Sequence, residues 1–216
     1  TNMKIVALVV TRSGSCHVKT MHTILRYNIK CLQNSGVQSE IAFVNDDPYD
    51  KSESIERFIK THDRIFFIDF GVHLDDNALS VIFAQNDKFG IVVFPSVNPG
   101  IDWGMFKDKV NNGSKEPTNQ MGLSFDTDVS TCIEEDFYNV KSTYAKTWVM
   151  MCKSTLRNIK CKRSGNYKIH PKLKTMFTKF KENGVKIVAY TAARTLITHQ
   201  HECVGNILNS AGIKAN

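Results

Sequence analysis

The sequence predicts an α/β domain built on a central, mostly parallel or mixed sheet flanked by helices. Three observations predict it. Apolar, β-branched runs of strand length alternate with helix-period segments over about the first 90 residues. The connections between them are short, which implies parallel strands joined by right-handed crossovers. The 216 residues and the 42% hydrophobic content suit an ordinary globular domain rather than a disordered or fibrous chain. A chain of this length buries roughly 70% of its unfolded surface, so its core requires no disulfide or metal.

The elements follow in order. Residues 4–10 are a continuous β-branched run between polar flanks and read as a buried strand. Thr11-Arg12-Ser13-Gly14-Ser15 is the turn after it. Over residues 17–34, Val18, Met21, Leu25, Ile29 and Leu32 recur with the period of a helix, which Ser35-Gly36 closes. Residues 40–44 are a second strand, ended by Asn45-Asp46-Asp47-Pro48. Residues 52–61 are helical, with Ile55, Phe58 and Ile59 on one face. Residues 64–68 are the third strand, and Asp75 and Asp76 open a helix carrying Leu79, Ile82 and Phe83. Residues 90–94 are a strand ending in Pro95-Ser96. Residues 97–140 read as a long functional loop region with short elements. Residues 144–152 are apolar enough for a strand, and residues 154–159 start a helix. Residues 171–183 are a helix with Leu173, Met176, Phe177 and Phe180 inward, and residues 185–190 are a last strand. Residues 198–210 carry two histidines and a short amphipathic helix.

Composition narrows the function. The longest apolar runs, residues 5–10 and 65–68, are far short of the roughly 20 residues that span a bilayer. The formal charge of +7 favours anionic partners. The basic residues are spread out, with one loose cluster from Lys153 to Arg163 continued by Lys168, Lys172 and Lys174, which a solvated helix face accounts for. Six cysteines form no C-x-x-C pair and no metal-ligand spacing. They point to a reducing compartment. No signal peptide is visible, so the expected location is the cytoplasm, or the host cytoplasm if the chain is viral. The polar end at Lys214-Ala215-Asn216 fits an excised module as well as a natural terminus.

In such sheets ligands bind at the carboxyl ends of the strands. Those ends carry Thr11-Arg12, Asn45-Asp46-Asp47 and Asp69-Phe70-Gly71. Asp69 is a lone carboxylate at the tip of an apolar strand. There it either holds a hard divalent ion against phosphate oxygens or caps the next turn. Asp75 and Asp76 have the position of helix caps. Asp46 and Asp47 either accept hydrogen bonds from a ribose or base or make the turn before Pro48. His199 or His201 either completes a metal site begun by Asp69 or is a surface or core histidine. Asp102, Asp126 and Asp128 either orient a hydroxyl and act as a base or sit in solvated loops. No phosphate loop, no G-x-G-x-x-G and no G-x-S-x-G elbow is present. Asp69-Phe70-Gly71 lacks the His-Arg-Asp loop and strand lysine of a kinase.

The order of these features resembles the GT-A nucleotide-sugar glycosyltransferases. The features are Val10-Thr11-Arg12, then Val44-Asn45-Asp46-Asp47, then Phe66-Phe67-Ile68-Asp69 at the place of the family's D-x-D strand. Val72, Leu74, Asp76, Ala78 and Leu79 follow in the family's spacing. Val93-Phe94-Pro95, Asp102-Trp103 and Tyr144-Ala145-Lys146-Thr147-Trp148-Val149-Met150 are similar to its later segments, the last to the strand lining the donor sugar. The chain also resembles the small glycosyltransferase domains encoded by chlorella viruses. The likeness covers most of the chain with short motifs. One departure is Gly71, which stands where the family has its second acid.

The resemblance implies one GT-A-like, Rossmann-like domain over residues 1–216. Residues 1–95 would be its nucleotide-binding half and 96–216 its donor-sugar and acceptor half. It implies transfer of a hexose from a UDP-sugar to a glycan or glycoprotein, with Mn2+ or Mg2+ aiding departure of UDP. Thr11, Arg12 and Asp46 would hold the uridine. Lys146, Arg194 and Arg12 would meet the diphosphate, and Thr147 would line the donor site. Asp69 would bind the metal, with His199, His201 or Asp75 supplying a missing ligand. Asp102, Asp126 and Asp128 are the candidate bases of an inverting reaction. Two other classes compete: a methyl- or nucleotidyltransferase on a similar sheet, and a non-enzymatic basic module binding nucleic acid. The first lacks a glycine-rich first turn. The second ranks last, because the aromatic residues fall in apolar periods rather than among the basic ones.

Overall fold

The computed structural model of the chain describes residues 2–193 and 195–197. Ten strands and six helices occur among them. Strand β1 (Met3–Thr11) is the centre of the first half, and its aliphatic residues are buried on both faces. It pairs in parallel with β2 (Val37–Asn45) and β3 (Arg64–Ile68). Helices α1 (Val18–Gln33), α2 (Pro48–Phe58) and α3 (Asp76–Phe83) make the crossovers. Each start has a local cause. His17 accepts the amide of Lys19, Asp47 accepts those of Tyr49 and Asp50 with Pro48 at the first position, and Asp75 accepts that of Ala78. The short β4 (Val72–Leu74) lies between β3 and α3.

The second half adds β5 (Ile91–Val93), α4 (Trp103–Asn111), β6 (Thr127–Glu134), β7 (Phe137–Thr143) and β8 (Thr147–Met151). It ends with α5 (Cys152–Ile159), α6 (Leu173–Glu182), β9 (Ile187–Tyr190) and β10 (Thr195–Ile197). The eight-stranded sheet has the order β2-β1-β3-β8-β5-β9-β7-β6. Strand β8 is antiparallel to both β3 and β5, so the sheet is mixed. Strands β4 and β10 form a separate antiparallel pair.

Two cores lie on opposite faces of the sheet. One gathers Val6, Leu8, Phe67, Trp148 and the inner sides of α2 and α6. The other gathers Ile5, Ala7, Phe66 and the inner sides of α1 and α3. Among the described residues no helix is long and apolar enough to cross a membrane.

Two expectations change. The helical period at Val18, Leu25, Ile29 and Leu32 marks the outer face of α1, where these side chains are 53–79% exposed. The inner face is Thr20, Thr23, Ile24, Tyr27 and Cys31. The cause is β4, whose backbone needs polar partners. Thr20 accepts the Gly71 amide, Thr23 accepts the Leu74 amide, and Arg26 donates to the Leu74 carbonyl. The region 97–140 is loop in its first part, as expected, but carries more regular structure than the short elements foreseen. It holds α4, all of β6 and most of β7. Thr127, Val129, Thr131 and Ile133 alternate as β-branched residues, a period-two signal that the sequence reading missed. The hairpin turns at Glu135-Asp136, where Asp136 has φ 64°.

Candidate active site

The carboxyl ends of β1, β2 and β3 meet at one edge of the sheet, because these three strands are parallel and in register. Thr11 is paired with Asn45, and the amide of Asp46 donates to the Thr11 carbonyl at 2.9 Å. The Arg12 Nε donates to Asp46 at 2.7 Å, and Lys51 Nζ donates to its other oxygen at 2.5 Å. Lys51 projects from the first turns of α2, which Pro48 and Asp47 fix beside this edge. Burial pushes the Asp46 carboxyl up, but the hydrogen bonds and charges of Lys51 and Arg12 outweigh it and hold it below the usual carboxylate range. The Arg12 guanidinium also lies over the Phe70 ring, 4.7 Å from its centroid. Beside this edge a cavity of about 520 Å3 lies between β2 and α2, lined by Thr11, Phe43, Asn45, Asp50 and Arg57 but not by Arg12, Asp46 or Asp69.

Asp69 follows β3 at the same edge. Its amide donates to the Lys146 carbonyl at 3.0 Å, which ties it to the chain entering β8. Its Oδ1 accepts the Phe70 amide at 2.7 Å. Among the described residues no donor reaches Oδ2. Burial raises the Asp69 carboxyl above its ordinary range, and the Asp46 charge adds to this. Lys51, the Phe70 amide and Lys146 pull the other way. Beside it, Thr147 is paired with Ile68, and its buried hydroxyl has no hydrogen-bond partner among the described residues.

Gly71 has φ 81° and donates its amide to Thr20 at 3.0 Å. The left-handed conformation explains why the second acid of a D-x-D triplet is missing at this turn. We expect Gly71→Asp to destabilise the protein by about 1–2 kcal/mol, the strain of placing a Cβ in that conformation. Urea denaturation measures it, and unchanged stability would mean that the turn relaxes at no cost.

The sequence candidates therefore separate. Thr11, Arg12, Asp46, Asp69, Lys146 and Thr147 come to one edge. Arg194, His199 and His201 lie outside the described residues. Asp102, Asp126 and Asp128 are not gathered. Asp102 is exposed and caps α4 through the Met105 amide. Asp126 is 2% exposed and accepts from the Ser96 amide, the Ser96 hydroxyl and Thr127. Asp128 is exposed on the edge strand β6. Lys51, Phe70 and Thr20 are the additions made by the structure. Lys51 had a local signal, a lysine four residues into the helix opened by Asp47. Among the described residues no three His, Cys, Asp or Glu side chains group to hold a metal ion.

A GT-A-like single α/β domain, with a mixed eight-stranded sheet between helices, is what these elements compose. In comparison with solved structures the chain is similar to A197 from STIV. The match has a TM-score of 0.56 and 11% identity and covers 92% of this chain and 87% of that one. It is also similar to GalNAc-T7, in a crystal structure with UDP, GalNAc and Mn2+, at 9% identity and a TM-score of 0.49. That match covers 93% of this chain, which spans 45% of GalNAc-T7. At these identities the likeness is one of fold alone. No protein-family model matches the chain, and no curated protein sequence matches it.

Proposed function

We propose that the chain is a glycosyltransferase that moves a hexose from a UDP-sugar to a glycan or glycoprotein acceptor. The observation that supports this most is the set of cations, Arg12, Lys51 and Lys146, around Asp46 and Asp69 at the carboxyl edge. A nucleotide sugar has a diphosphate leaving group. As the glycosidic bond breaks, negative charge collects on that group, and fixed cations stabilise it more in the transition state than in the ground state.

In this reading residues 1–95 bind the nucleotide, and residues 96–216 serve the donor sugar and acceptor. Thr11, Arg12 and Asp46 hold the uridine, with Arg12 kept in place by Phe70 and Asp46. Lys146 and Arg194 meet the diphosphate, and Thr147 offers its hydroxyl to the donor. Mn2+ or Mg2+ suits Asp69, because such ions take one or two carboxylates together with phosphate oxygens. Its Oδ2 is the oxygen left for this, and His199 or His201 would add a nitrogen ligand. The ion would neutralise charge on the leaving diphosphate. If the reaction inverts the anomeric centre, the acceptor hydroxyl needs a base. Asp102 is the first choice of the three candidates. The oxygens of Asp126 are engaged by Ser96 and Thr127, and Asp128 stands on the outer strand.

The thiols of Cys16, Cys31, Cys132, Cys152 and Cys161 are free, which supports a reducing, cytoplasmic setting, the host's if the chain is viral. The test is a panel of UDP-sugars with Mn2+, read as release of UDP, beside thermal shifts with UDP, S-adenosylmethionine and ATP. UDP should stabilise the fold, and Arg12→Ala should weaken UDP binding about tenfold, the cost of one charge-assisted contact. Stabilisation by S-adenosylmethionine or ATP but not by UDP would overturn the reading.

A further inference from the structure

Residues 137–181 hold twelve Lys and Arg and no Asp or Glu. The rest of the chain has 16 basic against 21 acidic residues, so the net charge of +7 owes its sign to this one segment. Ten of the twelve, from Lys153 to Lys181, lie on α5, α6 and their connection, and all ten are exposed. These elements cover one face of the sheet, since Ile169, Met176, Phe177 and Phe180 share a core with Ile55 and Phe58 of α2. Their apolar sides are used in that packing. No large hydrophobic residue described from 145 onward is exposed.

Few of these charges are paired. Of the ten, Lys153 alone makes an ion pair among the described residues, with Asp63 at 3.4 Å. Acids meet this face only at its margins, where Glu182 ends α6, Asp63 meets Lys153, and Glu53 and Glu56 of α2 line a cavity with Lys168 and Lys179, so the ten basic residues outnumber them. We infer that the α5–α6 face is an electrostatic docking surface for an anionic lipid bilayer.

The composition of the face favours lipid over nucleic acid. Eight of the ten are Lys and two are Arg. Lysine is a hydrated point charge that suits a fluid layer of headgroups, whereas nucleic-acid surfaces favour the Arg fork and rings that stack on bases. No exposed aromatic side chain is described here. With nothing apolar to insert, the contact rests on charge alone and is reversed by salt. The candidate site sits on the edge of the sheet, so a chain lying on this face keeps that edge open. The inference does not depend on the reaction proposed above.

Co-sedimentation with vesicles tests it. The protein should bind phosphatidylcholine vesicles containing about one-third phosphatidylserine at ~0.1 M salt and leave them at ~0.5 M. It should ignore pure phosphatidylcholine. Each basic residue near an anionic surface strengthens binding roughly fivefold. The triple variant Lys160→Glu, Lys162→Glu and Arg163→Glu should therefore bind at least about tenfold more weakly with an unchanged melting temperature. If that variant fails to fold, Lys172→Glu with Lys174→Glu serves instead. Leu25→Ser with Ile29→Ser, on the opposite face, should bind as the parent does. No binding at low salt, equal binding to neutral vesicles, or loss only in the Leu25 and Ile29 variant would overturn the inference. So would tighter binding to duplex RNA or DNA abolished by the same charge reversals.

Discussion

Asp69→Asn is expected to lower UDP release by at least about 10²- to 10³-fold, the usual effect of removing one preorganised electrostatic group, while raising the melting temperature. The first half follows from the proposed reaction. The second follows from burial. An acid whose folded pKa is raised favours folding in its protonated form. Its stabilisation is complete below the unfolded value and is lost as the pH rises through the folded one. Ionised Asp69 therefore costs the fold stability, since burial outweighs Lys51, the Phe70 amide and Lys146. Asparagine keeps an oxygen for the Phe70 amide and removes the charge. Calorimetry beside a UDP-release assay checks both halves. Activity within tenfold of the parent would remove Asp69 from the mechanism, and a lower melting temperature would show that its lysine neighbours outweigh burial.

Tyr27→Ala should be the most damaging of the single changes considered, costing about 3–5 kcal/mol. The ring is fully buried between Phe66 and Phe83, at centroid distances of 5.4 and 5.7 Å, and its hydroxyl accepts from Ser39. For a chain of this size each kcal/mol moves the melting temperature by roughly 2–4 °C, so a fall of about 10 °C is expected. Leu25→Ser, Ile29→Ser and Leu32→Ser should each stay within about 0.5 kcal/mol. Thermal melts of the four variants decide it. The reverse ranking would falsify the orientation of α1.

That pair of outcomes bears on how far α1 was legible. Its helical period was plain, yet the stripe that carries the period is the outer face. Periodicity reports that a helix has two sides. It does not report which side meets a backbone in need of donors and acceptors, and here Thr20 and Thr23 answer β4. The site shows the same division. Asp69 was visible as a carboxylate ending an apolar run. Its raised pKa was not, because burial and the positions of Lys51 and Lys146 are set by segments distant in sequence. Nor was the contact of Arg12 with Asp46, 34 residues apart. Gly71 was seen as a missing acid, and its φ of 81° supplies the reason.

By itself the sequence determined the alternation of strands and helices in the first half and the cap at Asp75, whereas the start of α2 at Pro48, capped by Asp47, came from the structure. It also determined the inward face of α6 and the polar strand ends where a ligand would bind. These depend on neighbours within a turn or a strand length, so local pattern carries them. Only the tertiary structure decided that β8 enters antiparallel between β3 and β5, that residues 127–143 form a hairpin, and that three cations surround two carboxylates at one edge. Those features arise from pairings between remote segments, whose free energy depends on which surfaces meet and not on the order of residues along either one.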